Sequence, residues 1–124
     1  MKNIRNEAKS TIVEYIRMPE SLIGQGEFFA LIAKGESMVD AGIHPGDYVV
    51  IRKQNTAEIG DIVVALDQGM NNLKVLGYNK KRERYFLRSC NPDRERYADI
   101  YPEELRIQGV AVCVSKKLGK VDVG

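Results

Sequence analysis

Apolar residues in this chain fall in short runs broken by glycine, proline and aspartate, which is a pattern of strands and turns. Phe28-Phe29-Ala30-Leu31-Ile32-Ala33 is an apolar run of strand length. Tyr48-Val49-Val50-Ile51 follows the turn signal Pro45-Gly46-Asp47, and Ile62-Val63-Val64-Ala65-Leu66 follows Gly60-Asp61. Asp67-Gln68-Gly69 breaks the chain before a strand spanning about Asn72 to Tyr78. Tyr85-Phe86-Leu87-Arg88 pairs with it as a hairpin across the charged tip Asn79-Lys80-Lys81-Arg82-Glu83-Arg84. The β-branched run Ile107 to Val114 predicts a central or interface strand. Helical signal is confined to single turns at Ser37 to Ala41 and at Pro102-Glu103-Glu104-Leu105, where proline suits a first helical position. The expected fold is mainly β, a compact antiparallel domain.

The N-terminal quarter reads differently. Glu7 to Ile16 includes Ile12, Val13, Tyr15 and Ile16 without a clear partner strand, and Pro19 to Gly26 reads as loop. Residues 1–27 are therefore expected to form an extended arm or linker, 28–118 the folded body, and 119–124 a frayed tail.

Composition narrows the function classes. The 124 residues make one domain, and 44% hydrophobic content supplies a core. With 19 basic and 17 acidic residues the chain lacks the basic excess of a nucleic-acid binder, and the basic hairpin tip reads as a solvated turn. Cys90 and Cys113 have no C-x-x-C spacing and His44 stands alone, so neither a metal nor another cofactor is expected. Both thiols fit a reducing cytoplasm. No run approaches the roughly 18 apolar residues of a membrane span, and no membrane partner is expected.

Ser37, in Gly35-Glu36-Ser37-Met38, and Lys74, in Asn72-Leu73-Lys74-Val75-Leu76, are the candidate chemistry. A serine hydroxyl needs a base to take its proton. His44 lies only seven residues on, beyond a turn, and would itself need an orienting carboxylate. A lysine serves only when neutral, and an apolar wall lowers its pKa from about 10.4 by disfavouring the ammonium. Leu73, Val75 and Leu76 provide such neighbours. Residue type alone favours the opposite reading: Gly-x-Ser is a common turn, and strand alternation would point Lys74 away from Leu73 and Val75 into solvent. Asp47 and Asp61, each after a glycine, read as turn-formers.

The flanking residues add a resemblance. Gly35-Glu36-Ser37-Met38-Val39-Asp40-Ala41-Gly42-Ile43 with Pro45-Gly46-Asp47 resembles the G-[DE]-S-M-x-[DE]-x-G-I-x-x-G-D block of LexA-type self-cleaving repressors, the S24 serine peptidases. Gly60 to Ala65 is similar to the G-[DQ]-[IV]-V-V-A strand of that family, and Asn72 to Leu76 to its lysine-bearing strand. Arg88-Ser89-Cys90-Asn91-Pro92 looks like a variant of its L-x-P-x-N turn, and Ile107 to Val112 like its closing strand. The resemblance covers about residues 12 to 118. It implies that Ser37 attacks a peptide carbonyl, that neutral Lys74 is the general base, and that the Ser37 and Met38 backbone N–H groups form the oxyanion hole. It further implies a homodimer, self-cleavage stimulated by a RecA-type recombinase filament, and DNA contact only through an N-terminal domain not in this chain.

The chain departs from that pattern at its start. Aligning Val13-Glu14-Tyr15-Ile16-Arg17-Met18-Pro19 with the family's E-E-Y-x-x-x-P stretch puts the scissile position near Lys2-Asn3 instead of Ala-Gly or Cys-Gly. Ala41-Gly42 lies inside the serine block and reads as structural. Neither the helix-turn-helix nor a scissile pair is thus expected here. The leading expectation is the C-terminal autoprotease and dimerisation domain of a LexA-like repressor. A UmuD-like or phage-repressor-like protein, a non-cleaving dimerisation module, and a signal-peptidase-like enzyme are the alternatives.

Overall fold

The structure, a computed structural model, describes residues 1–7 and 14–124. Its strands are β1 (Lys2–Asn6), β2 (Tyr15–Met18), β3 (Phe28–Ile32), β4 (Tyr48–Lys53), β5 (Ile62–Asp67), β6 (Met70–Asn79), β7 (Arg84–Arg88) and β8 (Arg106–Ser115). They form one eight-stranded sheet in the order β2-β1-β3-β4-β8-β5-β6-β7. Every pairing is antiparallel except β1 with β3. Single helical turns occur at α1 (Glu20–Ile23) and as a 3₁₀ turn at Val39–Ala41. None of the described helices is long and apolar enough to cross a membrane.

Unbroken apolar runs, as opposed to alternating ones, have a physical reason here. In β4, Val49 and Ile51 enter one core cluster with Phe29, Met38, Ile43 and Val64. The intervening Val50 points the other way, into a cluster with Ile4, Met18, Ile23 and Ala30. Likewise Val64 of β5 faces the first cluster, while Val63 and Ala65 join Leu76 and Leu87 in a third. The central strands are covered on both faces, so both side-chain sets must be apolar.

Two expectations are corrected by these contacts. The described part of residues 1–27 is not an unpaired arm. β1 pairs with β2 from Lys2↔Met18 to Arg5↔Tyr15 and runs parallel to β3 at Arg5↔Phe29 and Asn6↔Ala30. Ile4, Met18 and Ile23 are buried, because Ala30 and Val50 would otherwise show an apolar face to water. The expected contribution of Ile12 and Val13 falls outside the described residues. The second correction is Pro102 to Leu105, which forms a bend without helical hydrogen bonding; Leu105 packs toward the Leu76–Leu87 cluster instead.

β8 is central, held between β4 and β5, but unevenly. Its pairing with β5 ends at Val110, while pairing with β4 continues to Ser115. The register with β4 slips between Val50 and Ile51, and that with β5 between Val64 and Ala65, where Gly109 stands opposite Val64. A Cβ on Gly109 would lie 2.5 Å from the Arg52 carbonyl oxygen and 2.4 Å from Ile51 Cγ2. Backbone cannot yield as a side-chain tip can. Gly109→Ala is expected to cost about 1–3 kcal/mol by overpacking, read as a lower urea midpoint with an unchanged slope.

Asp47 and Asp61 act as turn-formers: their Oδ2 atoms accept the N–H groups of His44 (2.8 Å) and Glu58 (2.9 Å). The basic tip is a turn in which Asn79 Oδ1 accepts the Lys81 and Arg82 N–H groups.

Candidate active site

Ser37 follows β3 at a tight turn. Gly35 has φ +70°, a left-handed conformation that side chains with a Cβ resist. Val39 N–H donates to the Glu36 carbonyl (3.4 Å), while Ala41 and Ile43 N–H groups return to the Met38 carbonyl. Met38 is buried beside Val49 and Val64, which pins the turn to the core. Lys74 comes from the first half of β6, opposite Val63 of β5.

The fold brings the two together. Lys74 Nζ donates to Ser37 Oγ at 3.0 Å, and both side chains are half-buried. Burial pulls the Lys74 ammonium below its ordinary pKa of 10.5, opposed by the nearby Cys90 sulfur. Burial also raises the Cys90 thiol, and Asp40 adds to the rise, so the sulfur stays protonated and its opposition at neutral pH is small. Once Lys74 loses its proton, the same 3.0 Å contact can run in reverse, with the hydroxyl donating to the amine.

The pair opens into a cavity of about 340 Å³ whose walls include Leu31, Ala33, Met38, Leu73 and Asn72. Two half-free strand edges border it. Among the described residues, Leu31 and Ile32 of β3 pair with β4 alone, and β1 reaches Phe29 and Ala30. Among the described residues, Asn71 to Lys74 of β6 likewise pair with β5 alone, since β7 joins at Val75. Among the described residues, no backbone carbonyl accepts the Ser37 or Met38 N–H. His44 is exposed on the far side of the 3₁₀ turn, where its ring approaches Lys116, and it does not line the cavity. Lys2-Asn3 is held in β1, opposite Met18 and Arg17, and is likewise absent from the cavity wall.

Residue-by-residue reading missed the loop after β7. Asn91 Nδ2 donates to the Glu36 carbonyl at 2.8 Å, and the Cys90 carbonyl accepts the Asp40 N–H at 2.9 Å. These bonds grip the serine turn on both sides. The available signal was the position of Asn91 in the L-x-P-x-N-like turn. Among the described residues no cluster of histidine, cysteine and carboxylate side chains could hold a metal.

The profile of the family described as Peptidase S24-like matches residues 2–112. The LexA repressor of Syntrophotalea carbinolica is 41% identical over 103 residues, covering 83% of this chain and 50% of that protein. That of Desulforamulus reducens is 37% identical over 105 residues, covering 85% and 47%. That of Acidothermus cellulolyticus is 38% identical over 111 residues, covering 90% and 38%. The chain thus spans half or less of the length of these relatives. The matched stretch runs from β1 into β8 and includes both Ser37 and Lys74, and the chain belongs to the S24-like peptidase family.

Proposed function

We propose that this chain is the Ser-Lys autoprotease and dimerisation domain of a LexA-like SOS transcriptional repressor, acting in the cytoplasm. Its self-cleavage is stimulated by a RecA filament, and DNA is bound by another domain of the parent. The observation that carries the reading is the 3.0 Å contact between Lys74 Nζ and Ser37 Oγ in the wall of a cavity that Leu31, Met38 and Leu73 also line.

A peptide lies extended between the half-free edges of β3 and β6, adding main-chain hydrogen bonds to both. Neutral Lys74 takes the hydroxyl proton as Ser37 Oγ bonds to the carbonyl carbon, and the C=O π electrons move onto oxygen. The Ser37 and Met38 N–H groups face that oxyanion. When the tetrahedral centre collapses, the C–N bond breaks and the leaving amine takes the proton from Lys74. Water then attacks the acyl-serine by the same route, releasing the acid and restoring the hydroxyl.

Because the active base is the neutral amine, cleavage is expected to rise with pH and to level off above the Lys74 pKa. The shift is downward, so the plateau starts below pH 10.5. The measurement is cleavage in trans of peptides containing Ala-Gly or Cys-Gly by the purified chain, from pH 6 to 11. A rate independent of pH across that range would refute the lysine base.

For dimerisation, the β5-side edge of Ala111 to Ser115 is the candidate contact, because β5 leaves it uncovered. Replacing Val112 with proline removes an N–H from that segment. Sedimentation should then show a shift from dimer to monomer, whereas a monomeric parent chain would exclude this interface.

A further inference from the structure

The Ser37 N–H is an oxyanion donor only if its peptide plane is correctly turned, and that plane is shared with the Glu36 carbonyl. The peptide is trans, so its C=O and N–H leave on opposite edges. Fixing one fixes the other. Asn91 Nδ2 donates to the Glu36 oxygen at 2.8 Å, a side-chain contact across 55 positions of sequence. Gly35, Ser37 and Met38 line the cavity but Glu36 does not. The Glu36 carbonyl thus accepts Asn91 Nδ2 and, at 3.4 Å, Val39 N–H, on the edge of the peptide opposite the Ser37 N–H.

Asn91 is itself held. Its Oδ1 accepts the Asp93 N–H at 2.9 Å, fixing which end of the amide faces Glu36. One residue earlier, the Cys90 carbonyl takes the Asp40 N–H, beyond the serine. Arg94 donates to the Ser89 carbonyl at 3.2 Å, and Asp99 bonds both Arg94 (3.0 Å) and Arg88 (2.9 and 2.7 Å). These bonds tie the loop to the end of β7. The serine turn is thus braced from a second element at Glu36 and at Asp40, either side of the two donor groups.

We infer that Asn91 is a positioning residue of the peptidase reaction, which orients the Ser37 N–H toward the oxyanion by holding the Glu36 carbonyl from behind. This role rests on the peptidase reading above. It assigns to Asn91 no contact with substrate and no influence on the Lys74 proton.

Asn91→Asp removes the interaction. The carboxylate keeps an acceptor for the Asp93 N–H but has no N–H to offer Glu36. The experiment follows phosphonylation of Ser37 by a fluorophosphonate as a function of pH, with Ser37→Ala as background and thermal unfolding alongside. A misaligned donor is expected to slow the pH-independent plateau roughly 10²-fold. The midpoint of the rise with pH should stay at the wild-type value in Asn91→Ala, which adds no charge near Lys74. Backbone NMR of the unreacted protein should show the Ser37 amide resonance displaced. Asn91→Ala tests the same bond, with a larger loss of thermal stability because the Asp93 contact goes as well.

An Asn91→Asp protein that reacts at the wild-type rate, or whose Ser37 amide is unmoved, overturns the positioning role alone. A rate loss that merely follows a falling fraction of folded protein also overturns it. Wild-type protein no more reactive than Ser37→Ala overturns the peptidase reading, and the role falls with it.

Discussion

Lys74→Met is expected to abolish cleavage and at the same time stabilise the fold near neutral pH. Methionine keeps the length and apolar character of the stem and removes the amine. Without a base the Ser37 hydroxyl is left to water, and loss of one member of such a unit costs roughly 10⁴-fold or more in rate. Ser37→Ala should fall to the same level, and the double variant no lower, because the two residues act in one step. The stability effect comes from the downward pKa shift of Lys74. The unfolded chain holds the proton up to about pH 10.5, while the folded chain holds it less tightly. Folding is penalised fully below the folded-state pKa; the penalty shrinks between the two values and vanishes above 10.5. Lys74→Met should accordingly raise the unfolding midpoint at pH 7, with the gain fading as pH climbs toward 10.5 and gone above it. Parallel urea titrations at pH 7 and pH 11 read it directly. A gain of equal size at both pH values would mean that burial of the charge is not its source.

Ile4→Ala should be among the most damaging single changes to stability, although Ile4 lies at the very start of the chain. Its side chain has no exposed surface and packs with Met18, Ile23, Ala30 and Val50. Truncating such an isoleucine costs about 2–5 kcal/mol, from lost transfer energy plus the cavity left behind. The same change in a free arm would fall within about 0.5 kcal/mol. Urea unfolding distinguishes the two outcomes. Below the transition Ile4→Ala protein should retain fluorophosphonate reactivity at Ser37, because the cluster around Ile4 is separate from the one that holds Met38 and Val64.

These predictions mark the boundary between what was legible in the chain and what was not. Strands β3, β4, β5, β7 and β8 stand out because each is a largely apolar, β-branched or aromatic run near turn-formers, and β6 because Gly69 and the charged tip bound it. The hairpin of β6 and β7 is equally plain, since its partners are neighbours in sequence. β1 and β2 are not. Lys2-Asn3-Ile4-Arg5-Asn6 is mostly polar, with one isoleucine to bury, and its parallel pairing with β3 is a non-local contact that no short-range pattern announces. Pro102 to Leu105 shows the opposite failure. A proline followed by two glutamates is a good helix start, but docking of Leu105 against the β-sheet core outweighs so weak a local preference.

The site divides along the same line. From the sequence alone came the serine turn, marked by Gly35, and a lysine among apolar neighbours; the flanking block linked them. Alternation along β6 left the direction of Lys74 undetermined. Only the tertiary structure decides it, because Ser37 and Lys74 meet through β4, β8 and β5, whose pairing carries the turn after β3 to the edge of β6. The bracing of Glu36 by Asn91 is hidden from local pattern for the same reason. A hydrogen bond spanning 55 residues has no period in the chain and exists only once the loop after β7 has been folded back onto the serine turn.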